Sequence, residues 1–387
     1  MHLVKFSVRG LLRILFTVLT FQACLAISSL RVDITVGTVY IIIIGTHPDV
    51  VQFLGIPFAE PPTGDRRWTP FVAKTPAGDI DATSLSPSCP QYDTSIPSTY
   101  EIDARDFLIS GPTSEDCLTL SIWAPLTAAN NCSEKLPVIV WIYGGGQLTG
   151  GAQIEYQIPT PWVQRSQEHI LVQENNRLNI FGNPHAAGIK PTLNLGLLDQ
   201  RLATEWVRSN IANFGGDTSR VTMCGQSAGA SSTDYYNFAY PEDPIISGII
   251  LDSSSAISNA PSSDPTGFNF TFLAGQFGCG NLTADAELTC INDVSFVDIE
   301  AFLKSYQDNG ALPSVSFTPV VDNVTRFSNY TARALAGNFS KFPAIHGTNN
   351  NEGSSLTDWV NNGTTYNETA ANANTVQRIC WAQQTTE

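Results

Sequence analysis

Charge is scarce in this sequence, and positive charge scarcest. Asp, Glu, Lys and Arg make up 14% of its 387 residues, against roughly a quarter in an ordinary domain. Lys and Arg number 20 against 35 acidic residues, for a net charge of −15, and no basic run follows the first 13 residues. Nucleic-acid binding without sequence preference needs clustered Lys/Arg, so the composition argues against it. It argues equally against docking on an anionic membrane surface. Low charge beside 42% apolar residues speaks against a disordered chain or a coiled coil. No apolar run reaches the roughly 20 residues of a membrane span. No Cys-x-x-Cys occurs and no ligand spacing fits a metal, so neither metal nor other cofactor is expected. Histidine is thin too: His2, His47, His169, His185 and His346 are the full set.

What basic charge there is gathers at the start. Lys5, Arg9 and Arg13 precede a short apolar run over about 14–25, and Cys24-Leu25-Ala26 closes it with small residues where a signal peptidase reads. Residues 1–26 therefore read as a cleaved secretory signal, and the protein as extracellular. Residues 41–44, four isoleucines, are too few for a span and read as a buried strand. Secretion fits eight N-x-S/T sequons, at Asn131, Asn269, Asn281, Asn323, Asn329, Asn338, Asn362 and Asn367, which predict a glycosylated surface. Without Cys24, seven cysteines remain: Cys89, Cys117, Cys132, Cys224, Cys279, Cys290 and Cys380. An odd count leaves a free thiol, and Cys224, inside the strand-like stretch 221–224, is the best candidate.

Downstream, strands and helices alternate. Residues 136–143 (LPVIVWIY) form a continuous apolar run, as in a parallel strand covered on both faces. Over 195–210 the apolar residues Leu198, Leu202 and Trp206 recur at helical spacing, with Asp199, Arg201, Glu205 and Arg208 between them. Residues 221–224, 245–251 and 342–346 read as further buried strands. The alternation implies a mostly parallel central sheet flanked by helices, an α/β fold. Residues 361–387 are polar and receive no element.

The chemistry concentrates at Gly225-Gln226-Ser227-Ala228-Gly229. This is G-x-S-x-G between a strand and a segment that can open a helix, where glycines permit the sharp turn that lifts a serine above a sheet edge. The motif alone is also compatible with a Gly-rich structural turn. Tyr143-Gly144-Gly145-Gly146 follows the strand 136–142. Freed N–H groups in such a loop can face a developing oxyanion. A phosphate loop is the rival reading, but it requires a following Lys-Ser/Thr that Gln147-Leu148 does not supply.

These motifs, with Glu115-Asp116-Cys117-Leu118-Thr119-Leu120-Ser121-Ile122-Trp123-Ala124-Pro125, Phe53-Leu54-Gly55-Ile56-Pro57 and Asn194-Leu195-Gly196-Leu197-Leu198-Asp199-Gln200-Arg201, resemble those of the type-B carboxylesterases and secreted lipases, fungal members above all. The resemblance implies an α/β-hydrolase domain over 27–387 that acts on small-molecule or lipid carboxylic esters. It implies Ser227 as nucleophile, Glu352 in Asn349-Asn350-Asn351-Glu352-Gly353 as triad acid, and N–H groups of Gly145, Gly146 and Ala228 as the oxyanion hole. It also implies disulfides Cys89–Cys117 and Cys279–Cys290. Cholinesterases carry Glu where Gln226 stands, which speaks against choline esters.

Two departures from the family set further expectations. Its catalytic His follows the acid, yet all five histidines here precede Glu352. The 387 residues alone are thus expected to lack a general base and the C-terminal part of the domain, and to hydrolyse esters poorly. Neither His346 nor His185 is a strong replacement. Glu174 and Asn176 put polar groups where the family has an apolar strand, which is costly unless they are paired. The competing reading is a catalytically silent, esterase-like binding or adhesion protein.

Overall fold

The computed structural model describes residues 31–40, 42–43, 46–96, 98–130, 134–189, 194–257, 264, 266–357, 359–360 and 365–376. The signal segment 1–26, Cys24, Cys132, Cys380, Asn131 and Asn362 lie outside them.

Of the three sheets among the described residues, two organise the fold and the third is a two-stranded ribbon near the end. The smaller pairs β1 (Arg31–Ile34), β2 (Gly37–Tyr40) and β5 (Gly78–Asp81). The larger has eight strands in the order β11-β10-β9-β7-β8-β6-β4-β3, formed by β3 (Ile42–Ile43), β4 (Val50–Pro57), β6 (Thr119–Pro125), β7 (Leu136–Ile142), β8 (Ile170–Glu174), β9 (Gly216–Gln226), β10 (Gly248–Asp252) and β11 (Ala344–Gly347). From β8 through β7, β9 and β10 to β11 every pairing is parallel. β3, β4 and β6 join antiparallel. The parallel strands send their carboxyl ends to one edge, and in an open α/β sheet that is where a site forms.

The core explains the alternation seen in the sequence. Val138, Val140 and Ile142 of β7 and Val221 and Met223 of β9 are buried in one apolar cluster with Leu202, Trp206 and Val207 of α1 (Leu195–Asn210). α1 spans the expected residues, and Gly215 follows it in the left-handed region at φ 88°, turning the chain into β9. Cys224 is free, as expected; burial, with Asp252 nearby, pushes its thiol up to about 12. No helix among the described residues is long and apolar enough to cross a membrane.

The strand expected at 41–44 is present at Ile42–Ile43, the described part of that run, paired to β4. Two expectations need correction. The strand expected over 342–346 runs instead over Ala344–Gly347; it is the outermost of the larger sheet among the described residues and is not buried there, with Ile345 64% exposed. Asn269 is no surface sequon, for it is buried and donates through Nδ2 to Ser316 O at 2.8 Å. Asn281, Asn323, Asn329, Asn338 and Asn367 are exposed.

The polar end of β8 is the least ordinary part of the core. Arg177 lies just beyond it, 1% exposed, and donates from Nε and Nη2 to Asp199 at 2.8 and 2.7 Å. Its Nη1 reaches Arg67 O and Thr69 O. Asn175 and Asn176 also find partners, in Ala152 N and Pro87 O and in Arg177 O and Gln200. Glu174 does not: it is fully buried and neither carboxylate oxygen has a partner. Burial, with Asp199 beside it, pushes its carboxyl well above the usual range.

Candidate active site

β9 delivers Gln226 to the carboxyl edge and α2 (Ala228–Ala239) leaves from it, so Ser227 must turn the chain in one residue. It does so at φ 55°, ψ −122°, a conformation that costs a non-glycine residue free energy and persists only where its surroundings impose it. The surroundings are visible. Ser227 N donates to Asp252 O at 2.8 Å, pinning the elbow to the end of β10. Gly225 and Gly229 then pass in contact: a Cβ on Gly225 would lie 2.3 Å from the Gly229 carbonyl carbon, so only glycine fits there.

The Gly144–Gly146 loop leaves the neighbouring strand β7 and comes against the same serine. A Cβ on Gly144 would sit 3.1 Å from Ser227 Cβ. Gly145 and Gly146 have φ of 108° and 69°. Together Gly144, Gly145, Gly146, Ser227 and Ala228 line one cavity of about 590 Å³. Its lining is mixed, with Tyr100, Phe107, Leu108, Ile109 and Ile154 apolar and Gln91, Gln157 and Thr149 polar. Ser231 and Ser254 line it too, their hydroxyls 2.8 Å apart.

Glu352 is buried at the same sheet edge, in the turn after β11. Its Oε1 accepts from Asn349 N at 2.5 Å, and Asn349 Nδ2 donates to Ser253 Oγ. Ser253 N in turn donates to Gly347 O. The carboxylate is thus tied to the end of β10, whose Asp252 also holds Ser227. It does not itself line the cavity.

No described histidine lines the cavity either. His346 stands on β11 opposite Leu251 with both ring nitrogens unpartnered, and burial lowers its pKa despite Glu352 and Asp252 nearby. His185 is buried, and burial holds its pKa at about 4. His169 meets Ser166 and His47 meets Thr46.

The expected cysteine pairs are both bonded, Cys89 to Cys117 and Cys279 to Cys290. The first closes a loop carrying Gln91, Tyr100 and Phe107 to the cavity. Gln91 exchanges two hydrogen bonds with Gly150, both 2.7 Å. The chain-entropy model gives this closure roughly 3–4 kcal/mol. A Cys89→Ser/Cys117→Ser protein is therefore expected to melt well below the parent, and non-reducing peptide mapping of the parent to recover both pairs. Any other pairing would overturn the assignment.

The site's contacts missed by sequence reasoning include a buried acid. Glu300, on α5 (Phe296–Asp308; α3 is Phe268–Gln276 and α4 Ala284–Asn292), sits against the Gln91 backbone with Oε1 unpartnered. Burial pushes its pKa up to about 8. The folded protein then keeps a proton that the unfolded chain has lost, so stability falls as pH rises from about 4.5 to about 8 and levels off above. Glu300→Gln is expected to flatten that slope, by as much as about 1.4 kcal/mol per pH unit. Denaturant melts at pH 5 and pH 8 check it, and an unchanged slope would sink it.

A strained serine elbow at the carboxyl edge of a mostly parallel sheet, faced by a triple-glycine loop, defines the α/β-hydrolase class. The chain belongs to the carboxylesterase family: that family's model matches residues 29–387. It is 48% identical over 304 residues to the chlorogenic acid esterase of Aspergillus niger, covering 78% of this chain and 58% of that one. To secreted lipase 5 of Gibberella zeae it is 41% identical, covering 80% and 62%. To secreted lipase 1 of Botryotinia fuckeliana it is 34% identical, covering 81% and 58%. The matched part thus spans about 58–62% of the length of these relatives.

Proposed function

We propose that the protein is a secreted carboxylic ester hydrolase with Ser227 as nucleophile. The observation that carries this is the strained Ser227 with the Gly144–Gly146 loop packed against it at a 590 Å³ cavity. Ser227 Oγ attacks the ester carbonyl, and the N–H groups of Gly145, Gly146 and Ala228 receive the negative charge on its oxygen. A histidine takes the serine proton and returns it to the leaving alcohol, and Glu352 orients that histidine. The buried pairing of Glu352 to Asn349 supports its role as a fixed acid.

A cavity lined by both apolar and polar side chains suits an ester that carries groups of both kinds. The esterase and lipase relatives agree with that class. Exposed sequons, two disulfides and secreted relatives support an extracellular, glycosylated protein whose hydrolase domain follows a signal over 1–26.

One observation favours the silent, binding reading: the cavity wall holds none of the described histidines. A fluorophosphonate probe applied to the full-length protein separates the two. The enzyme reading expects stoichiometric labelling of the peptide containing Ser227 and turnover of p-nitrophenyl esters. A folded protein that takes up no label is the silent relative. Ordinary turnover by the 387 residues alone would place the base among them, and His346 and His185 would be substituted first.

A further inference from the structure

The oxyanion loop contains an expense that its glycines do not explain. Gly145, Gly146 and Gln147 are three consecutive residues with positive φ, at 108°, 69° and 65°. The first two are glycines, for which this backbone is free, whereas the third carries a full side chain in a region unfavourable to it. Glycine would relieve Gln147, so the side chain is held there by what it touches.

It touches the helix that follows the nucleophile. Gln147 Nε2 donates to Ala228 O at 3.0 Å and to Ser232 Oγ at 2.6 Å, the first and fifth residues of α2. Ala228 supplies the helix-side N–H of the proposed oxyanion hole, and Gly145 and Gly146 supply the loop side. The amide of Gln147 therefore spans the two halves. Its backbone is fixed as well, because Gln147 O accepts from Asn179 N at 2.9 Å. Leu148 N and Thr149 N both donate back to Gly145 O, closing the loop into one turn.

We infer that Gln147 is a positioning residue: a clip that sets the distance between the Gly145–Gly146 amides and the Ala228 amide, so that the three N–H groups converge on one oxygen. This rests on the reading of Ser227 as nucleophile. Donors that must meet a transient oxyanion within a few tenths of an ångström lose effect when one half drifts, since a misplacement of about 1 Å costs about 100-fold. The clip touches no substrate atom; its contribution is preorganisation.

The test uses the full-length protein with Gln147→Met, which keeps length and removes the donors, and Gln147→Gly, which also removes the backbone strain. Both are expected to lower kcat for a p-nitrophenyl ester about 10- to 100-fold with KM changed less than threefold. Affinity for an alkyl boronic acid, which forms a tetrahedral adduct on the serine, is expected to fall with kcat, while affinity for the carboxylic acid product stays. Hydrogen exchange supplies a readout independent of turnover: the Leu148 and Thr149 amides are expected to exchange at least tenfold faster in Gln147→Met, with global melting unchanged. Unchanged kcat in a protein that Ser227→Ala silences would overturn the clip alone, as would unchanged exchange. Esterase activity that survives Ser227→Ala would overturn the nucleophile reading, and the clip with it. A loss carried by KM would assign Gln147 to substrate binding instead.

Discussion

Replacing Ser227 is expected to separate activity from stability. Ser227→Ala and Ser227→Gly should each lower kcat in the full-length protein by about 10⁶, the usual cost of deleting the nucleophile of a serine hydrolase. Their effects on stability should differ. At φ 55°, ψ −122° alanine is as strained as serine, so Ser227→Ala should melt with the parent. Glycine adopts that conformation without penalty, and Ser227→Gly should gain about 1 kcal/mol or more, within the usual range for such strain. Esterase assays with parallel thermal melts decide this. A glycine variant no more stable than the alanine variant would mean that the elbow's surroundings relax to fit the serine rather than forcing it.

The second large effect lies under the site. Arg177→Met should cost about 3–5 kcal/mol, because it leaves Asp199 buried and uncompensated. It also abandons the carbonyls of Arg67 and Thr69. Glu174 worsens the position, being a second buried acid beside the same carboxylate. Urea midpoints of parent and variant at neutral pH check this, and equal midpoints would sink it. Removing the unpartnered acid works the other way: Glu174→Leu should stabilise at neutral pH, since no hydrogen bond is lost and a desolvated carboxyl is replaced by hydrocarbon. A destabilised Glu174→Leu would show that the carboxyl has a partner the geometry does not reveal.

The serine elbow and the glycine loop were legible in the sequence because their constraint is local. Gly225 and Gly229 are four residues apart and must touch, and a strand must stop where a triple glycine begins. α1 was legible by periodicity alone. The two disulfides were legible only through the family resemblance. The contacts that tune the site were not legible, because they join residues distant in sequence: Gln91 to Gly150, Gln147 to Ser232, Glu300 to Gln91. Each is an ordinary polar residue in the text, and only the fold reveals its partner. The burial of β11 was misread for the opposite reason. A short apolar run such as 342–346 looks the same at a sheet's centre and at its rim, and nothing local distinguishes the two.

That rim has a consequence for how the site is held together. Ser227 is fastened by β9, β10 and the loop from β7, whereas Glu352 follows β11, the outermost strand among the described residues, and reaches β10 through Asn349 and Ser253. The link from Glu352 through Asn349 to Ser253 is therefore what holds the carboxylate and the serine on one frame, and Asn349→Ala should loosen the acid while leaving the elbow in place.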